Sequence, residues 1–427
     1  MQSSEQAVRF AGDVNISKVK IVTRNGLAQD ITAQVINIQI FEDLFSPFIT
    51  GSLILKESLD LINLFPFAGE EEVEIEISTP SLQNGNISAK FYIYKMTDRE
   101  LLGDRSMVYQ LHFISNEAIV DLNKKISRVY GDKPEVIIKN LLEDQVNGLQ
   151  STKKLIAEPT AKSAKFISNF WSPVEAINYV TQLAENKNGS PSFVFYENRD
   201  GFYFTSLESL YDAQVYQEFT MDKYTRDEKK NGGDAKNVSE DYKRIGTISI
   251  PKGFDYMERI RSGLFSSKLI SYDLTKKAYN VKNFNMFDGF DSQKHLNKFN
   301  VASSKAIFRT NSKIVNYPRM NSNFSGFTDA TNYRNSQKRA SLLLAAEANK
   351  IQITVPGRCD YTVGQKVKVT LNKMEPISKD DMDVTDKMFS GYYLIAAVNH
   401  YITRDMHECN MELIKDSLLM SVDGNTK

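Results

Sequence analysis

The sequence predicts a mainly β protein of the α+β class, with two β-barrel domains flanking a small α/β domain. Three observations carry that expectation. Short runs of alternating apolar and polar residues, bounded by turn signals, dominate residues 14–125 and 243–418. Residues 126–221 between them combine helical apolar spacing with a hairpin. The chain has 427 residues, room for about three domains at about 150 residues each.

In the first barrel domain, 14–125, Val19 and Ile21 alternate with polar neighbours, as do Val35 to Ile40. Gly51 to Leu55 follows the turn signal Ser46-Pro47. Leu61 to Phe67 reads as an apolar corner ending at Gly69. Glu72, Glu74 and Glu76 then alternate with Val73, Ile75 and Ile77, giving a strand with one acidic and one apolar face. Phe91 to Tyr94 and Tyr109 to Phe113 continue the strands. Closure into a barrel removes the exposed edges such strands would otherwise carry.

The α/β domain, 126–221, follows a short helix read at Glu117–Ile126. Asp132 to Glu135 reads as a cap and Val136–Leu142 as the helix after it. The only tryptophan, Trp171, opens the next unit. Ser172 is placed to cap a helix, Pro173 suits its first turn, and Glu175 can reach back to complete a capping box. Val174, Ile177, Val180 and Ala184 recur at helical spacing, and Asn188-Gly189 ends the helix. Phe193 to Tyr196 is a strand, turned by Asn198 to Gly201 into Phe202 to Phe204. Trp171, Phe193 and Phe195 are the expected core anchors of this domain.

Residues 222–242 form a polar linker. The second barrel domain, 243–418, starts with strands near Ile245–Ile248, and Arg259–Tyr272 reads as one or two strands. A polar insertion near 280–332, rich in Asn, Ser and Lys, has little periodicity and reads as loops or an interaction arm. Ala340–Ala348 is a helix, followed by strands at Ile351–Val355, Val363–Val369, Gly391–Val398 and Cys409–Leu413. Residues 419–427 are expected to be a flexible tail.

Composition narrows the function classes. Hydrophobic residues make up 41% and aromatics 11%, enough to fill real cores and exclude a wholly disordered chain. Lys+Arg and Asp+Glu both number 53, so the basic surplus of a free-standing nucleic-acid binder is missing. A neutral chain lacks charge repulsion against its neighbours, which suits a subunit of an assembly. Cys359 and Cys409 are too few for a disulfide framework and read as reduced core thiols of a protein assembled in a cytosol. The polar stretch Met1–Phe10 has no apolar signal core, and no apolar run is long enough for a membrane span.

The four histidines, His112, His295, His400 and His407, show no metal-binding helix spacing, and no Cys-x-x-Cys pair is present. Ser127, Ser172 and Ser390 lack a nucleophile-elbow context, and no glycine-rich phosphate loop occurs. The expectation is therefore no catalytic, metal or cofactor-binding residues.

Several of these segments, in this order, resemble the trimeric baseplate central hub of contractile-tailed phages and the related hub portion of the type VI secretion spike protein. They are Gly51-Ser52-Leu53 through Gly69 to Ile75, Ile126 to Tyr130, Trp171-Ser172-Pro173 with Glu175, and Phe193 to Tyr196. Tyr333-Arg334-Asn335, Val355-Pro356-Gly357, Val363-Gly364-Gln365 and Gly391 through His400 complete the set. The resemblance spans about residues 30–418 and fails between about 275 and 330. It implies tail-tube-like barrels and a homotrimer whose ring joins a sixfold tail tube to a threefold central spike and leaves a channel for DNA ejection. The implied partners are the spike protein, the tail-tube protein and other baseplate wedge or hub proteins, with DNA only in transit. The implied place is the tail baseplate of a virion. No needle or lysozyme-like domain is recognised in the chain, so the expectation is a hub that receives a separate spike.

On that reading, Glu72, Glu74 and Glu76 are either a solvated strand face or channel-lining carboxylates that repel passing phosphates. Two alternatives stay open. One is the hub of a phage-like contractile injection device; the other is a tail-associated cell-wall hydrolase or carbohydrate binder, prompted by the aromatic strands.

Overall fold

The computed structural model describes every residue except 1–9, 59–60, 62–67, 81, 83–84, 104, 222–237, 274–276, 304–309, 319–332, 374–384 and 424–427. Most of the apolar corner at 61–67, most of the polar linker, much of the 280–332 stretch and the end of the tail therefore lie outside the described residues.

The first module contains β1 (Asn15–Val22), β2 (Ala28–Asp30), β3 (Val35–Asp43), β4 (Thr50–Glu57), β5 (Glu72–Ser78), β6 (Asn86–Leu102) and β7 (Ser106–Ile114). Their ladder order is β3-β4-β7-β6-β5-β1-β2. Val73, Ile75 and Ile77 point into a core with Val19, Leu53, Leu111 and Phe113. Gly51 has no side chain because a Cβ there would lie 2.2 Å from the Phe113 ring. The seam between β1 and β3 carries no ladder. A short 3-10 turn, Thr32–Gln34, bridges it: Val19 donates its N–H to the Thr32 hydroxyl at 2.8 Å, and Ile31 donates to the Val19 carbonyl. The Gly-Glu-Glu run before β5 has a local reason. Glu71 is buried and accepts the backbone N–H groups of Ala68, Gly69 and Glu70 at 2.8–3.1 Å, while Gly69 takes a left-handed φ of 87°.

The middle unit holds α1 (Asn116–Leu122), β8 (Ile126–Asp132), α2 (Pro134–Glu143), β9 (Leu155–Ala157), β10 (Ala164–Trp171), α3 (Pro173–Leu183), β11 (Phe193–Asn198), β12 (Gly201–Ser206) and α4 (Leu207–Asp212). The capping box of α3 forms: Glu175 donates its N–H to the Ser172 hydroxyl, and the Glu175 carboxylate accepts the Ser172 N–H. Phe193 and Phe195 face the middle core beside Phe202 and Phe204, whereas Val194 and Tyr196 face the core of the second module. β11 is thus buried on both faces and is the wall shared by two cores.

The second module contains β13 (Val215–Thr220), α5 (Val238–Asp241), β14 (Thr247–Lys252), α6 (Tyr256–Ser262), β15 (Ser266–Asp273), β16 (Ala278–Asn285), β17 (Phe299–Asn300), β18 (Ile314–Pro318), α7 (Tyr333–Ala346), β19 (Asn349–Pro356), β20 (Lys366–Thr370), β21 (Gly391–Thr403), β22 (His407–Lys415) and β23 (Ser417–Leu418). Its strands run β14-β19-β22-β21-β20-β13. The circle closes through a bridge between Thr220 and Arg244, just before β14. β13, read from sequence as part of the middle unit, is hydrogen-bonded in parallel to β20 of this module.

Two expectations need correction. Arg259–Tyr272 is not purely strand: α6 covers Tyr256–Ser262 and β15 follows. Asp255 caps that helix and Gly263 ends it with φ 84°. The described part of the 280–332 stretch is not simply loops. β15 pairs with β16 and β18, and β17 pairs with β23. These segments pack with α7 over a small core of Leu264, Phe265, Met286, Val301, Ala345 and Leu418.

The two modules also share a ladder. β21 pairs with β20 through Gly391–Leu394, then with β3 through Ala397–Thr403. One sheet therefore passes without a break from the second module into the first.

Candidate functional site

The sequence-derived acidic positions lie on β5, between β1 and β6. In register, Glu76 faces Lys18, and Glu74 faces Lys20 on one side and Lys90 on the other. Lys18 reaches Glu74 at 2.8 Å and Glu76 at 3.3 Å, and Lys90 reaches Glu74 at 2.7 Å. The hydrogen bonds from Lys18 and Lys90 hold the Glu74 carboxyl down at about 2. Glu74 and Glu76 are thus charge-paired with flanking lysines that sequence periodicity on one strand cannot reveal, while Glu72 stands opposite Val22 and Tyr92.

The core anchors gather as aromatic pairs. Trp171 is half-buried; it stacks on Phe166 at 6.1 Å and lies tilted against Tyr179 at 4.9 Å. Phe193 stacks on Phe204 at 4.7 Å, and Phe195 on Phe202 at 5.5 Å. Trp171 sits at the rim of the middle core, with Phe193 and Phe195 inside it.

The junction between the modules is polar and buried. Glu42, on β3, accepts hydrogen bonds from the Thr362 hydroxyl, the Val363 N–H at 3.2 Å and the Arg199 N–H at 3.3 Å. Burial raises its carboxyl to about 7 against these bonds. Lys153 bridges Glu117 at 2.7 Å and Glu197 at 2.6 Å, and Glu197 also accepts the Ile49 N–H at 3.1 Å. Burial opposes the ammonium, and the two carboxylates outweigh it, holding Lys153 above the usual lysine range. This cluster ties the first module to the middle unit.

On the outer side of the shared sheet, a trough of about 540 Å³ crosses β14, β19, β22, β21 and β3. Thr247, Ser249, Gln352, Thr354, Asn399 and Asn410 line it with uncharged polar groups, alongside Asp43 and Glu412.

The serines carry structural bonds. The Ser172 hydroxyl donates to Asp121 Oδ2 at 3.0 Å and caps α3; the Ser390 hydroxyl accepts the Leu371 N–H at 2.9 Å and donates to the Leu371 carbonyl. Ser127 lies opposite Asn169 on the exposed side of β8. His112 pairs with Thr97, and His295 with Asp416 at 2.6 Å. His400, His407 and Cys409 meet in the interior, a convergence missed by the search for helical spacing. Its signal was His407-x-Cys409, two residues apart on one strand face, with His400 across the hairpin.

No family model matches the chain. A probable baseplate hub protein of Vibrio phage KVP40 is 22% identical over 438 residues, covering 96% of this chain and 97% of that protein. The tail protein of Neisseria meningitidis MC58 superposes with a TM-score of 0.54 at 12% identity, covering 93% of this chain and 96% of that one. The 43 kDa tail protein of prophage MuSo2 from Shewanella oneidensis gives 0.54 at 8% identity, over 94% and 98%. Along nearly its whole length, then, this chain is homologous to a probable phage baseplate hub protein and shares its fold with these two tail proteins.

Proposed function

We propose that the chain is a non-enzymatic structural subunit of a phage tail baseplate. Three copies form a hub ring that joins the sixfold tail tube to the threefold central spike and leaves a bore for DNA. The observation that carries this reading is the shared sheet: β3 and β21 fuse two β modules into one wall within a chain. Three such chains present six modules, which reconciles sixfold with threefold contacts around a closed ring. The full-length similarity to a hub protein supports the same reading.

The trough on that wall suits the bore better than β5 does. Its Asn, Gln, Ser and Thr groups offer a polyanion no cationic grip, and of the carboxylates beside them Glu412 is paired with Lys350 while Asp43 remains. On the Glu72, Glu74 and Glu76 face, Glu74 and Glu76 are already paired with Lys18 and Lys90, which weakens its field on a passing phosphate. The proposed partners remain the spike protein, the tail-tube protein and neighbouring baseplate proteins, and the proposed place is the virion tail.

Cross-linking mass spectrometry on purified particles tests the reading. The expected result is links from this chain to another copy of itself, to the tube protein and to the spike protein. Links confined to peripheral fibre proteins, or absence of the chain from intact particles, would overturn it.

A further inference from the structure

The hairpin of β21 and β22 brings together three metal-ligating side chains that the hub reading does not use. His400 lies on β21, and His407 and Cys409 lie on β22; each is fully buried. His400 Nδ1 is 3.0 Å from His407 Nε2, and Cys409 Sγ is 3.4 Å and 3.5 Å from these two nitrogens. All three donor atoms therefore face one another.

These separations fit one ion. With zinc bonds of about 2.0–2.1 Å to nitrogen and about 2.3 Å to sulfur, a tetrahedral centre has ligand edges of about 3.3–3.4 Å between nitrogens and about 3.6 Å from nitrogen to sulfur. The observed triangle matches to within a few tenths of an ångström. The triangle is slightly smaller than an ideal tetrahedral face, so an ion at these bond lengths sits about 0.9 Å to one side of its plane. Two imidazoles and a thiol are also a donor set that selects a borderline-soft ion over magnesium or calcium.

The surroundings hold the set in place. The His407 N–H donates to the Gly12 carbonyl at 2.9 Å, and the His407 carbonyl accepts the Gly357 N–H at 2.7 Å. A Cβ at Gly357 would lie 2.3 Å from the His407 ring, so the absence of a side chain there admits the imidazole. The outward nitrogens are His400 Nε2 and His407 Nδ1; the latter has no hydrogen-bond partner among the described residues, and the Tyr361 backbone meets the His400 ring. These two nitrogens are the atoms that carry the ring protons when the inner nitrogens ligate. His400 stands opposite Ile40 of β3, and Cys409 opposite Val355 of β19, so the trio lies where the two modules meet.

We propose that His400, His407 and Cys409 bind one zinc ion as a structural staple at the module junction. Two Zn–N bonds and one Zn–S bond form, the Cys409 S–H bond breaks, and one proton leaves to solvent.

Metal analysis of the full chain purified from zinc-supplemented medium tests this. The expected content is about one zinc per chain, and chelator-stripped protein should release about one proton per zinc re-bound at neutral pH. Cobalt in place of zinc should give a thiolate-to-cobalt charge-transfer band in the near ultraviolet. Cys409→Ser should abolish that band, whereas Cys359→Ser, which alters the other buried cysteine, should retain it. If Cys409→Ser does not fold, the zinc stoichiometry and proton release of the unaltered chain still decide. Folded protein that neither contains zinc nor takes up cobalt, or a band lost with Cys359→Ser and kept with Cys409→Ser, overturns the proposal.

Discussion

Glu42 shows most directly how a single side chain can tune this fold. Its folded-state value of about 7 stands above the ordinary 4.5 because burial disfavours the carboxylate. A group raised in this way stabilises the fold fully below its unfolded value, and that contribution is lost as pH rises through the folded value. The unaltered chain should therefore lose about 2–3 kcal/mol relative to Glu42→Gln between pH 5 and pH 8. Urea unfolding of both chains at the two pH values measures this; parallel pH dependences would contradict it. Sequence made some single residues legible. Ser172, Pro173 and Glu175 declare their helix cap because the motif acts over three residues. Glu42 gave no such sign, since its partners Arg199, Thr362 and Val363 lie more than 150 positions away. The lysines that pair with Glu74 and Glu76 were hidden because they lie on the neighbouring strands β1 and β6.

Among the elements, β11 deserves its place as the seam of the molecule. Tyr196 leaves the aromatic face of the middle unit and fills the second module, stacking on Tyr203 at 5.2 Å. Gly364 makes room for it: φ is 84°, and a Cβ would sit 2.3 Å from the Tyr196 hydroxyl oxygen. Gly364→Ala should destabilise the chain by about 2–4 kcal/mol, from left-handed backbone strain and overpacking together. In a Tyr196→Phe background the penalty should fall but not vanish, because the nearest remaining ring atom is 3.1 Å away and the backbone strain persists. Thermal unfolding of the four chains checks this, and strict additivity would show that the two residues do not meet. Elements with one buried face were legible from alternation, as at β5 and β19. β16 was not, because it is exposed along most of its length and has no apolar face to announce. The helix α6 was missed for another reason: Ile260 and Leu264 also fit a strand pattern, and the deciding signals were the caps Asp255 and Gly263.

For the whole molecule, the order of two β modules around an α/β unit was readable from periodicity and turn residues, whereas the sheet that joins them was not. Pairing of β3 with β21 links residues some 360 positions apart, and no local pattern encodes it. That pairing gives one chain two tied modules, and on the proposed function three such chains close a ring. The mass of the purified chain in solution tests this most directly. Native mass spectrometry should find three times the 48.6 kDa chain mass; a species that stays at the single-chain mass at high concentration would contradict it.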